Sequence, residues 1–349
     1  MRLLPLLFLA ACAVDEPSFS EAEQEIKKLP DNCPTYDCGG NSAGLDGRYV
    51  TAIQEKGVTT PEGMRLVDFG RYVGTSWRSS RADVLNAELL ARDKNTNAIT
   101  EYGPDLVGFM FIVEDTTTTN RYNITVVRAE KTAMWAQYPN PGRKSWNYEL
   151  SYTSDKNPQD PQNVCMRPPS SDPMDPQMTV LFDDDRIDTD DIRFANEEAD
   201  WFTFGCSGSA LAKQHLSGHT KAGSHILGVT TTLKERTAFL KMLTADYCGA
   251  GTPYTVAGTR LHYRDRHGFM STVSTGEAIE GVWGERGAIC VGTPRVEFNP
   301  TPLSIDTFGY DIKDELAQFG CTLPKPCDPK SYATRYPFGE GLVLSTNYY

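Results

Sequence analysis

Nine cysteines constrain this chain more than any other feature. One of them, Cys12, ends a short apolar N-terminal stretch, and eight follow: Cys33, Cys38, Cys165, Cys206, Cys248, Cys290, Cys321 and Cys327. An even number of cysteines in an exported chain is what an oxidising compartment permits, because disulfides form and persist there. Zinc is the competing explanation, but the closest spacing is Cys33-x4-Cys38 and no Cys-x-x-Cys pair occurs. The eight are therefore read as structural half-cystines, and any fold must bring them together in pairs.

Residues 1–12 supply the reason to expect export. Arg2 gives a minimal positive start, Leu3 to Leu9 a short apolar core, and Leu9-Ala10-Ala11-Cys12 has the form of a bacterial lipobox. The stretch is too short to cross a bilayer as a helix. It reads as a lipoprotein signal that leaves a lipidated Cys12 as the membrane anchor. By resemblance to enterobacterial lipoproteins, Ala13 rather than Asp after the cysteine favours the outer membrane of a Gram-negative envelope. Residues 13–43 are then an acidic tether, bracketed by Pro17 and Pro30, that ends in a local Cys33–Cys38 loop. A net charge of −12 argues against nucleic acid as a partner and against attachment to anionic lipid through basic patches.

Residues 44–200 are β-rich. Arg48 to Ile53, Met64 to Phe69, Leu106 to Glu114, Tyr122 to Arg128 and Trp146 to Tyr152 carry β-branched and aromatic residues between polar and glycine clusters, with a turn at Asn140-Pro141-Gly142. The nearly continuous apolar run Leu106–Val113 predicts a central strand buried on both faces. Residues 201–295 form a second segment with two helices, about Ser207 to Leu216 and Thr232 to Tyr247, and short strands. Residues 296–349 are a proline-punctuated extension with one helical piece at Ile312 to Phe319 and a Cys321–Cys327 loop. The fold class expected is α+β: a β-rich N-terminal part followed by a disulfide-stapled module with a helical hairpin.

The best helix signal lies in that module. Thr232-Leu233-Lys234-Glu235 reads as a capping box, Leu233, Leu240, Leu243 and Tyr247 recur at helical spacing, and Gly249 is placed to end the helix. The residues that follow, Ala245-Asp246-Tyr247-Cys248, resemble the signature of the ADYC-domain family. So do Phe204-Gly205-Cys206-Ser207-Gly208-Ser209, Tyr263-Arg264-Asp265-Arg266-His267-Gly268, and Trp283-Gly284 with Gly287-Ala288-Ile289-Cys290-Val291. The resemblance spans about 201–295. It implies an envelope or secreted protein of myxobacteria and their relatives, and it implies no reaction. The family's extra cysteines would fall at Gln214 and Phe239, which this chain lacks.

An antiparallel helical hairpin would place the start of the first helix beside the end of the second, and so pair Cys206 with Cys248. The competing arrangement is Cys248–Cys290, with Cys165–Cys206 as its consequence.

Several clusters invite a chemical reading. Asp246, Asp265 and Arg266 would form an acid/base or ligand-binding group if their turns converged, as a hydrolase on wall or extracellular polymer would require; Asp–Arg pairs also fix turns in proteins without chemistry. Gly205-Cys206-Ser207-Gly208-Ser209 lacks the second glycine of a nucleophile elbow, and Ser207 is better explained as a helix cap. His215, His219 and His225 lack the glutamate of a zinc-peptidase helix and are read as loop or surface residues. The run Asp183 to Asp191 lacks the glycine of an EF-hand and is read as a solvated acidic loop. No metal site is assigned and no cofactor is expected. The reading that results is a lipid-anchored envelope protein with a structural or binding role, the carboxylate-pair hydrolase being the alternative.

Overall fold

The computed structural model describes residues 43–46, 48–136, 138–165, 177–188, 191–195, 200–254, 261–269, 278–294, 321–328 and 343–347. Cys12, the tether, the Cys33–Cys38 loop and the Ile312–Phe319 segment lie outside them.

The chain begins with three short strands, β1 (Gly44–Leu45), β2 (Arg48–Tyr49) and β3 (Ala52–Gln54), followed by β4 (Met64–Val73), β5 (Ser76–Leu85), β6 (Glu88–Arg92) and β7 (Ile99–Tyr102). Next come β8 (Met110–Asp115), β9 (Arg121–Ala133), β10 (Lys144–Ser154), β11 (Asn157–Asn163) and β12 (Met178–Asp183). The small pair β13 (Ile187–Asp188) and β14 (Arg193–Phe194) precedes β15 (Trp201–Cys206). Eleven strands form one antiparallel sheet in the order β3-β15-β12-β10-β9-β8-β4-β5-β6-β7, with β11 paired to β10. β15 thus lies between β3 and β12, so segments 44–200 and 201–295 share a sheet.

This sheet curls on itself. One apolar cluster joins Ile53, Leu66, Val84, Leu89, Phe111, Ile124, Leu150 and Phe202 from strands far apart in the sheet order, and β5 and β6 close over β12. Phe69, Phe109, Phe111, Phe202 and Phe204 meet in it at ring separations of 4.7–6.4 Å.

The doubly buried strands are not where the apolar run predicts them. Gly103–Leu106 makes a 3-10 turn opened by Pro104, Gly108 sits at φ +88°, and only then does β8 begin, with every second residue buried. β12 and β15 are buried on both faces instead, because the helices cover their outer side.

Three helices follow: α1 (Ala210–Leu216), α2 (Lys221–Leu227) and α3 (Leu233–Thr244). α1 and α3 form the expected hairpin, but its connection carries α2, which packs with α1 on β12. α1 is capped by Ser209, whose side chain accepts the Ala212 N–H; Ser207 instead donates to the Met178 carbonyl, so the cap lies two residues beyond the predicted one. Beyond α3, β16 (Leu261–Arg264), β17 (Ala278–Gly284), β18 (Gly287–Val291) and β19 (Val343–Asn347) form a second antiparallel sheet in the order β16-β19-β17-β18. α3 lies between the layers. Leu240 packs with Val180 and Phe182 of the large sheet, whereas Phe239 and Met242 pack with Tyr263, Trp283 and Val343 of the small one.

Among the described residues three disulfides are formed: Cys165–Cys206, Cys248–Cys321 and Cys290–Cys327. The hairpin pairing Cys206–Cys248 is therefore incorrect, and so is Cys248–Cys290. Cys206 ends a sheet strand rather than opening a helix, and it meets Cys165 beside β12. Cys248 faces the segment that returns at Cys321.

Candidate functional site

Each residue of Ala245-Asp246-Tyr247-Cys248 has a structural task. The capping box at Thr232 and Glu235 opens α3 as the sequence predicts, but the helix is ended by Ala245 at φ +55° rather than by Gly249. Asp246, fully buried, pairs with Lys241 and accepts the N–H groups of Ala250 (3.0 Å) and Gly251 (2.9 Å), closing the loop after the helix. Tyr247 packs against Trp283 with the rings tilted and 5.1 Å apart, and donates its hydroxyl to Glu280 at 3.0 Å. Glu280 also accepts from Ser345, which accepts from the Trp283 indole, so the loop, β17 and β19 share one buried hydrogen-bond chain. Cys248 adds the covalent link to Cys321.

The loop docks on the β17–β18 turn with no room between backbones. A Cβ on Gly249 would come within 2.2 Å of the Arg286 carbonyl oxygen, and one on Gly287 (φ +97°) within 2.5 Å of the Gly249 nitrogen. The glycines that extend the signature are thus needed for close approach.

Asp265 and Arg266 are held elsewhere. Asp265 bonds His219 at 3.0 Å and accepts the N–H groups of His267 and Gly268 at 2.6 Å, which shapes the turn. Burial works against its carboxylate, yet the hydrogen bond and charge of His219, then the Gly268 N–H and His267, hold its pKa below the ordinary value. The His219 ring stacks on Phe239 at 3.6 Å. Arg266 pairs with Glu235 in the first turn of α3, whereas Asp246 lies beyond its last turn. Eleven residues at about 1.5 Å each put about 16 Å of helix axis between those two points. Asp246, Asp265 and Arg266 therefore do not assemble into one site.

The first three aspartates of the acidic run are not solvated, contrary to the sequence reading, whereas Asp188 and Asp191 stay partly exposed beside Arg193. Asp183 accepts the Ala87 N–H, and burial pushes its carboxyl up to about 6. Asp184 pairs with Lys221 at 2.7 Å, and Asp185, shielded from water, lies 3.0 Å from the Arg236 guanidinium and accepts the Lys221 N–H at 2.6 Å. Nor are the histidines at the surface: His215 and His219 are buried, and only His225 is exposed. His215 links Ser145 (2.7 Å) to Thr220 (2.8 Å). That relay resembles a catalytic one, but burial pushes His215 down to about 3 and Thr220 stands where a carboxylate would orient the ring, so it is not poised to take a proton from Ser145. Among the described residues, no group of three or more histidine, cysteine or carboxylate side chains could hold a metal ion.

One groove adjoins this relay, a feature that sequence reading missed because its walls come from distant strands. It lies where the β5–β6 turn and β7 cross β9 and β10, encloses about 240 Å³, and is lined by Leu85, Glu88, Ile99, Lys131, Lys144 and Trp146, among others. The Lys131 ammonium sits 4.7 Å from the centre of the Trp146 ring.

No curated protein and no solved structure matches the chain. The model of the ADYC domain matches residues 103–297, a span that begins in the curled sheet, about a hundred residues before the resemblance noted in the sequence, and ends after β18. Since that span is more than half of the 349 residues, and contains the tetrapeptide, its docking hairpin and two of the disulfide-bonded strands, the protein belongs to the ADYC-domain family.

Proposed function

We propose that this is a lipid-anchored protein of the Gram-negative envelope whose folded body serves as a binding or structural module. The observation that carries the second half is the separation of Asp246 from Asp265: each is buried, and each is saturated by its own cation or imidazole and by backbone N–H groups. A hydrolase working with two carboxylates needs both to reach one glycosidic bond, typically across about 5–9.5 Å, with at least one able to exchange a proton. Neither is offered to a substrate here. The lipobox at Cys12 and the acidic tether support the address, with the outer membrane as the destination. Three disulfides suit an oxidising compartment.

Expression in a Gram-negative host tests the reading. The mature protein should partition into detergent, and a fatty-acid analogue should label the wild type but not Cys12→Ser. Equal labelling of the two would refute the anchor. Hydrolysis of a wall polymer that is lost in Asp246→Asn and Asp265→Asn would refute the non-enzymatic role.

A further inference from the structure

The groove beside β10 brings together two cations without a carboxylate partner among the described residues and two exposed apolar side chains. Lys56, Lys94, Lys221 and Lys241 each have a carboxylate partner. Lys131 and Lys144, both exposed, have none among the described residues, and both line this groove. They face it from adjacent strands, since Lys131 pairs with Trp146 in the β9–β10 register and Lys144 lies two residues before that tryptophan on the same side of β10.

In a chain of net charge −12, these two ammonium groups outnumber the one lining carboxylate, Glu88, and leave the groove with a net charge opposite in sign to the whole. Lys131 is held in place over the indole by cation–π attraction. The indole is itself fixed: it stacks with Tyr148 at 6.5 Å, and Gly103, at φ +57°, lies so close that a Cβ there would come within 2.8 Å of the ring. Leu85 and Ile99, each about half exposed, form an apolar wall.

We propose that this groove is a binding site for a small organic carboxylate, with the carboxylate between Lys131 and Lys144 and the body against Leu85, Ile99 and the rim of Trp146. At about 240 Å³ the groove is below the roughly 300–1,000 Å³ of sites for drug-sized ligands, so the body is about one ring or a short chain. The proposal rests on the binding-module reading and names its ligand class.

Titration of the full-length, detergent-solubilised protein by calorimetry and tryptophan fluorescence tests it, with galacturonate, benzoate and hexanoate as probes and galactose, benzyl alcohol and hexanol as their uncharged counterparts. At least one carboxylate should bind with Kd below about 1 mM and at least about tenfold tighter than its neutral counterpart. Binding should weaken as salt rises from about 50 to about 500 mM. Preference for galacturonate would identify an acidic saccharide as the source, and preference for hexanoate or benzoate an acyl or aryl acid. Lys131→Gln/Lys144→Gln should lose at least about tenfold in affinity while the melting temperature falls by no more than a few degrees, because both side chains are exposed and the cation–π contact of Lys131 is worth at most about 1 kcal/mol. The proposal is overturned if the folded wild type binds no carboxylate at about 10 mM, if neutral counterparts bind equally, or if the double substitution changes nothing. Failure here with Cys12 labelling intact removes the ligand and leaves the anchored module standing. Failure of labelling with carboxylate binding intact removes only the anchor.

Discussion

Replacing Arg236 by Met tests whether the acidic run is structural. The guanidinium and the Asp185 carboxylate are fully shielded from water and 3.0 Å apart, and Arg236 also donates to the Thr231 carbonyl at 2.7 Å. Removing one member of a buried pair costs about 3–5 kcal/mol, and the lost hydrogen bond about 1 kcal/mol more. R236M should therefore be destabilised by about 4–6 kcal/mol. D185N keeps the shape and can still accept the Lys221 N–H, but it leaves Arg236 without that countercharge, at about 3–5 kcal/mol. The double variant buries neither charge, so it should cost no more than R236M alone, giving a coupling of about 3–5 kcal/mol, where independent sites add to within about 0.5 kcal/mol. Urea unfolding followed by near-ultraviolet circular dichroism at pH 7 measures all four proteins. Additivity of the two single changes, or an R236M cost below about 1 kcal/mol, would show that Asp185 is not committed to this pair.

Two titrations run in opposite directions. Burial holds His215 neutral down to about pH 3, whereas an unfolded histidine takes a proton near 6.5, so its contribution to stability is complete above pH 6.5 and is lost as pH falls toward 3. H215Q should flatten the fall in melting temperature between pH 6.5 and 4; an unchanged slope refutes the assignment. For Glu55, burial and then the neighbouring Asp83 raise the carboxyl to about 8, so the folded state keeps a proton that the unfolded state loses above about 4.5, and stability declines as pH rises through that window. E55Q should melt higher than the wild type at pH 8 and equally at pH 4. Cys248–Cys321 closes a loop with a sequence separation of 73, so C248A/C321A should cost about 4 kcal/mol in the chain-entropy model. Non-reducing peptide mapping should yield Cys248 linked to Cys321; a Cys206–Cys248 peptide would contradict the connectivity.

Features set by near neighbours were legible in the sequence. The capping box of α3, the β9 and β10 strands and the turn at Gly142 (φ +76°) all rest on residues within a few positions of each other. Features set by distant partners were not. β5 reads as polar because Ser76, Arg78 and Ser79 are exposed and only Ala82 and Val84 are buried, and β11 carries Pro158 and Pro161, which only a strand paired on one side tolerates. His219 looks like a surface residue until Asp265, 46 positions away, supplies its partner. The aspartate run looks solvated until Ala87, Lys221 and Arg236 arrive from three other elements. The cysteine pairing failed for the same cause: a hairpin argument weighs two helices, whereas the half-cystines answer to the sheet and to a segment beginning at Cys321.

The order β16-β19-β17-β18 sets a timetable for folding. β16 and β17 do not pair with each other; β19, which begins at Val343, is the strand between them. As the chain emerges from a ribosome, the sheet that receives Tyr247 cannot close until residues 343–347 are delivered, more than fifty positions after β18 ends at Val291. Pairings of such long range form slowly, because the loop must be closed before the contacts reward it. Until then Tyr247 and Trp283 lack the strand that covers them, so the interval is when a newly made copy is most exposed to proteases.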